Sequence, residues 1–318
     1  MSQPVLLNDK QVQDYIVNGY TTIRTKLTAK VHQQIHHDIK TLYRKKGNPG
    51  NRILSEIPDL YKILKDPNVH GALSSLLGPD YIVHPHRHCH QNVSDSKGQN
   101  MHQDSYEDDQ NVRHHRTRWA MAFYYPQDTN LDMGPTSILP ASQYYTNSLE
   151  AHKKKELPLC GQAGTVTIVH YDLWHRAMPN NSKNDRFMVK FLFTRMSEPH
   201  QPSWDHHDPT WDTNTKNSPE AVCIRVWDWM RGEKNTEITH QNSLQELKHK
   251  LLSDSEKERL EAVYHMGDSG EHSLPILIDA LKSQATNHFE ENIEKPHTNP
   301  SQLDTVVGFS SVGAIGIP

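Results

Sequence analysis

The feature that most limits what this chain can fold into is a change of hydropathy period at Gly78. Before that glycine, apolar residues recur every three or four positions. After it they come in short runs rich in Val, Ile, Thr and aromatic residues, namely YIVHPHRHCHQN, TRWAMAFYYP, TSILPAS, GTVTIVHYD and RFMVKFLFTR. The first pattern marks amphipathic helices and the second marks strands. Asn8 is placed to cap a short helix carrying Val12, Tyr15 and Ile16 and ended by Gly19. Thr28 opens a second, with Val31, Ile35, Ile39 and Leu42 at helical spacing. Asp66 caps a third, with Pro67 at its first position, Val69, Leu73, Leu76 and Leu77 on its apolar face, and Gly78 as its stop. Helices followed by strands with turn-rich linkers imply an α+β chain, an antiparallel barrel buttressed by N-terminal helices.

At 318 residues the chain can hold one barrel of ordinary to large size plus something smaller. A net charge of -4 gives no reason to expect nucleic acid or an anionic membrane as partner; a small-molecule substrate is the expectation. Cys89, Cys160 and Cys223 form no C-x-x-C pair and read as free thiols in a reducing, cytoplasmic compartment. Neither a secretory signal nor an apolar run of membrane-spanning length is visible.

The residues that carry chemistry are His102 and Asp104 in MHQDSY, His175 in DLWHRAMPN, and Arg186. On a strand alternate residues share a face, so His102 and Asp104 project together. Two histidines and a carboxylate can take three cis positions of an octahedral iron(II), leaving three for an oxidisable co-substrate and O2. An arginine fork can hold the distal carboxylate of a dicarboxylate such as 2-oxoglutarate through two parallel bonds. With 23 His and 38 acidic residues an H-x-D triplet alone arises by chance. Context adds weight: one strand-like run leads into His175, and another begins at Arg186.

At these residues the chain resembles the phytanoyl-CoA dioxygenase family of iron(II)/2-oxoglutarate-dependent oxygenases, over roughly residues 10–200. NGYTTIRTKLTAKVHQQIHHDI resembles the family's opening strand and helix, and LYKILKDPNVHGALSSLLGPDYIV the helix pair before the barrel. WHRAMPNNSKNDR is the closest match, while the family's Pro-Gly-Ser-His element is changed here to Pro140, Ala141, Ser142 and Gln143. The resemblance implies a double-stranded β-helix (a jelly-roll, cupin-like barrel) in which His102, Asp104 and His175 hold Fe(II). It also implies 2-oxoglutarate chelating the metal with its distal carboxylate on Arg186, O2 beside the substrate, and release of succinate and CO2. Hydroxylation, desaturation and oxidative ring closure of a C–H bond all remain open. Met188 stands where some relatives place a hydroxyl residue, so a second anchor is open, with Thr136 as candidate. Asp104 argues against a halogenase, which vacates that position for chloride.

His84, His86, His88 and His90 share one strand parity; His88 and His90, with Trp174 beside the metal motif, are candidates to orient substrate. Arg116 and Arg118 in RHHRTR read either as a solvated basic loop or as a clamp for a carboxylate or phosphate. Together these favour a small polar, anionic substrate over a long acyl-CoA. A zinc hydrolase using the same triad, or a noncatalytic barrel that binds a protein partner, are the alternatives.

Residues 1–242 read as the dioxygenase domain, with 197–242 as an excursion that is either a lid or a buttress. In it Ser218 reads as a helix cap with Pro219 at the first position, Val222, Val226, Trp227 and Met230 on the apolar face and Gly232 as the end. Residues 243–318 read as a helical extension, with capping boxes at Ser243/Glu246 and Ser253/Glu256. RLEAVYHMGDSGEHSLPILIDALKS resembles one HEAT-type repeat and VVGFSSVGAIGIP the start of another, so the chain stops mid-repeat. The expectation is either a repeat array that has been shortened or helices that cap the barrel, with a protein partner or the barrel flank as what they cover.

Overall fold

The computed structural model describes residues 3–104, 115–146, 151–233 and 243–283. Helices α1 (Asp9–Asn18), α2 (Ala29–Lys46), α3 (Ile53–Glu56), α4 (Leu60–Leu64) and α5 (Pro67–Leu77) precede most of the strands, with β1 (Tyr20–Arg24) between the first two. The caps expected at α1 and α5 form. Asn8 and Gln11 make a reciprocal capping box, Gly19 closes α1 at φ 77°, and the Asp66 carboxylate accepts from the N–H groups of Asn68 and Val69. Thr28 occupies the cap position of α2 without a side-chain bond.

Strands β2 (Ile82–Asn92), β3 (Trp119–Tyr124), β6 (Thr165–His170) and β8 (Arg186–Thr194) join β1 in an antiparallel sheet ordered β1-β6-β3-β8-β2. A smaller antiparallel sheet, β5-β4-β7, contains β4 (Thr136–Ile138), β5 (Leu157–Pro158) and β7 (His175–Ala177). Side-chain parity divides the larger sheet. Ala120, Ala122 and Tyr124 of β3 and Phe187, Val189, Phe191 and Phe193 of β8 pack outward into the core shared with the helices. Met121 and Phe123, with Met188 and Leu192, pack inward with Ile138 and Leu173. Both faces are covered, which is why these strands read as nearly continuous apolar runs instead of strict alternation. Arg186 and Lys190 lie on the inward parity of β8 among these side chains.

Beyond the barrel lie α6 (Glu220–Arg231), α7 (Leu244–Lys250), α8 (Glu256–Asp268) and a last helical stretch, 274–283. Two expected helix starts are corrected. At α6 the cap position is Pro219, without a side-chain bond, while the Ser218 hydroxyl donates to Val17 O. The N-terminus of α6 is served from another helix: Glu261 of α8 accepts from the N–H groups of Glu220 (2.5 Å) and Ala221 (3.0 Å). A carboxylate there satisfies orphan donors and suits the positive helix end. At α8 the cap is Ser255, whose hydroxyl accepts from Glu258 N, not Ser253 with Glu256. Glu256 instead turns inward, fully buried, and accepts from the N–H (2.9 Å) and hydroxyl (3.0 Å) of Thr146. The capping box at Ser243 and Glu246 forms.

Trp227 of α6 and Leu260, Val263 and Met266 of α8 belong to the same buried cluster as the outer barrel face. The described residues 243–283 therefore pack on the barrel flank. The second repeat-like segment, 306–318, lies outside the described residues. Among the described residues no helix is long and apolar enough to cross a membrane.

Candidate metal centre

His102 and His175 sit directly opposite each other across an antiparallel bridge, His102 N–H donating to His175 O at 3.0 Å and His175 N–H to His102 O at 2.9 Å. The bridge sets their rings 4.6 Å apart. Two residues on, the Asp104 carboxylate reaches the same point, and the three side chains offer ligand atoms within 4.8 Å of one another. Gln103 holds the loop between the two ligands, its amide donating to Tyr145 O at 3.1 Å and to Asp172 O at 2.5 Å.

The hydrogen bonds of the two rings decide what they present. Nδ1 of His102 lies 2.8 Å from Asn100 O, and Nδ1 of His175 lies 3.0 Å from Leu173 O. A carbonyl only accepts, so each Nδ1 carries the proton and each Nε2 presents a lone pair. Those lone pairs face a carboxylate: His175 Nε2 is 3.7 Å from Asp104 Oδ2, and His102 Nε2 is 3.9 Å from Asp104 Oδ1. Such distances are too long for hydrogen bonds and suit two bonds of about 2.1 Å to one central ion. Donor type, tautomer and spacing thus fit a divalent metal.

Electrostatics agree. Burial alone would raise the Asp104 carboxyl, but His175 in its protonated form and the ammonium of Lys190 bring it down to about 2. Burial pushes His175 down to about 4, against the pull of Asp104, so its ring is neutral and able to ligate at neutral pH. Lys190 Nζ lies 2.7 Å from Asp104 Oδ2, both side chains being buried. Sequence reasoning missed this lysine, although its signal was a cation enclosed by the apolar residues 187–189 and 191–193 of β8.

Arg186 is 1% exposed. Its Nε and Nη2 donate to Gly134 O at 3.1 and 2.8 Å, and its guanidinium lies 5.9 Å from the Tyr125 ring centroid. Its Nη1 is buried with no hydrogen-bond partner among the described residues. A buried cationic donor left in this state fits a carboxylate brought by a co-substrate. Thr136 lies on β4 opposite Ala177, its N–H donating to the Tyr125 hydroxyl at 2.9 Å. Trp174 donates from Nε1 to Tyr145 O at 2.9 Å.

His88 pairs in register with Lys190 and His90 with Met188, beyond an irregularity between Val83 and Arg87 that the parity argument does not anticipate. The Asn48 amide lies 2.9 Å from His88 Nε2. Burial, with Lys190 adding to it, pushes His90 down to about 3. Arg116 and Arg118 are directed elsewhere. Both guanidiniums lie 5.5 Å from the Trp229 ring centroid of α6, and Arg118 also pairs with Glu198. Packing on an aromatic face and an acid accounts for both without a substrate.

No curated protein matches the chain. Its residues 236–291 match the model of the ARM-like repeat domain at the GUN4 N-terminus, in keeping with a helical extension. Among solved structures it is similar to the 2-oxoglutarate-dependent epimerase SnoN from nogalamycin biosynthesis (12% identity, 58% of this chain and 82% of that one, TM-score 0.50). It is also similar to HygX from Streptomyces hygroscopicus, solved with nickel and 2-oxoglutarate (12%, 60% and 88%, TM-score 0.49). At these identities the likeness concerns the fold alone. The phytanoyl-CoA dioxygenase model, in contrast, matches residues 15–188, more than half of the 318, and includes both histidines, Asp104 and Arg186. The chain belongs to the phytanoyl-CoA dioxygenase family of iron(II)- and 2-oxoglutarate-dependent oxygenases.

Proposed function

We propose that this oxygenase oxidises an unactivated C–H bond of a small polar, anionic metabolite, with His102, Asp104 and His175 holding Fe(II) and Arg186 holding the distal carboxylate of 2-oxoglutarate. The observation that carries the site assignment is the pair of Nε2 lone pairs set against one buried carboxylate. When bound, iron(II) with 2-oxoglutarate and O2 supplies the oxidising power and yields succinate and CO2. The chain's own residues position and shield. Nδ1 bonds to backbone carbonyls fix the ligand rings, and Gln103 fixes the loop between them. Phe123, Met188 and Leu192 line the interior with apolar surface. A polar substrate is supported by the interior parity of His88, His90 and Lys190.

Anaerobic titration with Fe(II) and 2-oxoglutarate tests the site, because the visible metal-to-ligand charge-transfer band requires both together. The expected result is a band in the wild type that is lost in His175→Ala. A compound panel scored by succinate release tests the substrate class: small carboxylates or phosphates should stimulate turnover. Stimulation by acyl-CoA or uncharged hydrophobic compounds alone would refute that part.

A further inference from the structure

We propose that Lys190 is an internal counter-ion that holds Asp104 in the metal-free protein and competes with the metal for it. This rests on the metal-centre reading above. Each histidine directs its Nδ1 proton to a backbone carbonyl, so neither ring offers that proton to the carboxylate between them. Lys190 supplies a cation instead, 2.7 Å from Oδ2, with side-chain exposures of 7% and 9% for the two partners. A buried carboxylate without a cation is strongly destabilising, and this pair prevents that when no metal is bound. A divalent ion beside Asp104 changes the balance, because two cations would then share one carboxylate and repel each other. Lysine suits a partner that must yield, being a point charge on a flexible stem where arginine is a rigid fork. Lys190 is thus a positioning residue that trades metal affinity for the stability of a buried carboxylate.

The test uses Co(II) binding to the full, metal-free chain, read by its d–d absorption, together with thermal unfolding before metal is added. Lys190→Met should tighten Co(II) binding by about ten- to a hundredfold, the range over which neighbours of ligating side chains move metal affinity. The same variant should unfold at a lower temperature when metal-free. Lys190→Arg, which keeps the charge on a rigid fork able to bond both carboxylate oxygens, should bind Co(II) no more tightly than wild type. It therefore keeps the test decisive if the methionine variant does not fold. Unchanged or weaker Co(II) binding in Lys190→Met, or tighter binding in Lys190→Arg, overturns the proposal while leaving the metal centre intact. Wild type that binds Co(II) no better than His175→Ala refutes the metal centre itself.

Discussion

Replacing Arg186 by lysine separates the bond its guanidinium makes to Gly134 O from the co-substrate contact proposed for it. Nε and Nη2 donate to Gly134 O, at 3.1 and 2.8 Å, while the buried Nη1 is the donor proposed for the co-substrate. A lysine ammonium at this site can serve the carbonyl or the carboxylate, and it cannot span both with the geometry of a planar fork. Losing one charge-assisted bond costs about 1.5–3 kcal/mol. That corresponds to a rise of roughly ten- to a hundredfold in the 2-oxoglutarate dissociation constant. Stability should suffer less, because Gly134 O keeps the Asn92 amide as a second donor at 2.9 Å. The assay is the anaerobic charge-transfer titration at saturating Fe(II), run beside thermal unfolding without co-substrate. A variant with wild-type 2-oxoglutarate affinity refutes the anchor. A loss of affinity that merely tracks a large loss of stability would show that Arg186 acts through the fold.

Alanine at His102, Asp104 or His175 should abolish 2-oxoglutarate turnover while far-ultraviolet circular dichroism stays close to wild type; near-normal succinate release in any of them sinks the triad. Gly134→Ala should weaken 2-oxoglutarate binding without touching the ligand. Gly134 has φ +62°, and an added Cβ would come 2.5 Å from both Asn92 Nδ2 and Met178 O, displacing the carbonyl that orients Arg186. Unchanged co-substrate affinity in that variant would speak against the carbonyl's role. Burial pushes His170 down to about 4, so between about 6.5 and 4 the unfolded chain binds the proton that the folded chain refuses. Its contribution is complete above the unfolded value and is lost as pH falls through the folded one, up to about 3 kcal/mol. His170→Phe should therefore flatten the fall in melting temperature of the metal-free protein between pH 6.5 and 4, and parallel curves for the two proteins would refute the assignment.

Features decided by neighbours in the chain were legible. Asn8 with Gln11 and Asp66 with Asn68 and Val69 are bonds closed within three residues. His102 and Asp104 do come together as their two-residue spacing suggests, although from a bridge at His102 and the loop after it and not from one strand. What escaped depends on pairings far apart in sequence. The Lys190–Asp104 contact joins residues 86 positions apart, one on β8 and the other beside the bridge to β7, in the other sheet. Two serines near the start of α8 each stand three residues before a glutamate. Contact with Thr146, 110 residues away, turns Glu256 inward and leaves Ser255 as the cap. Arg116 and Arg118 carried the right charge for an anion clamp, but Trp229 of α6 meets both guanidiniums.

The inward turn of Glu256 bears on what counts as the heritable unit of this enzyme. Thr146, which Glu256 holds, follows Tyr145, whose carbonyl accepts from both the Gln103 amide and the Trp174 indole. Gln103 stands between two of the proposed metal ligands and Trp174 immediately precedes the third. An unbroken series of bonds thus runs from a C-terminal helix to both ligand-bearing segments. The same helix supplies Glu261 to the start of α6. Transplanting the stretch that carries the family pattern, which ends at Met188, would leave that series without its outer end. The smallest portion of the chain that keeps every bond of that series extends through α8, into sequence that carries none of the proposed ligands.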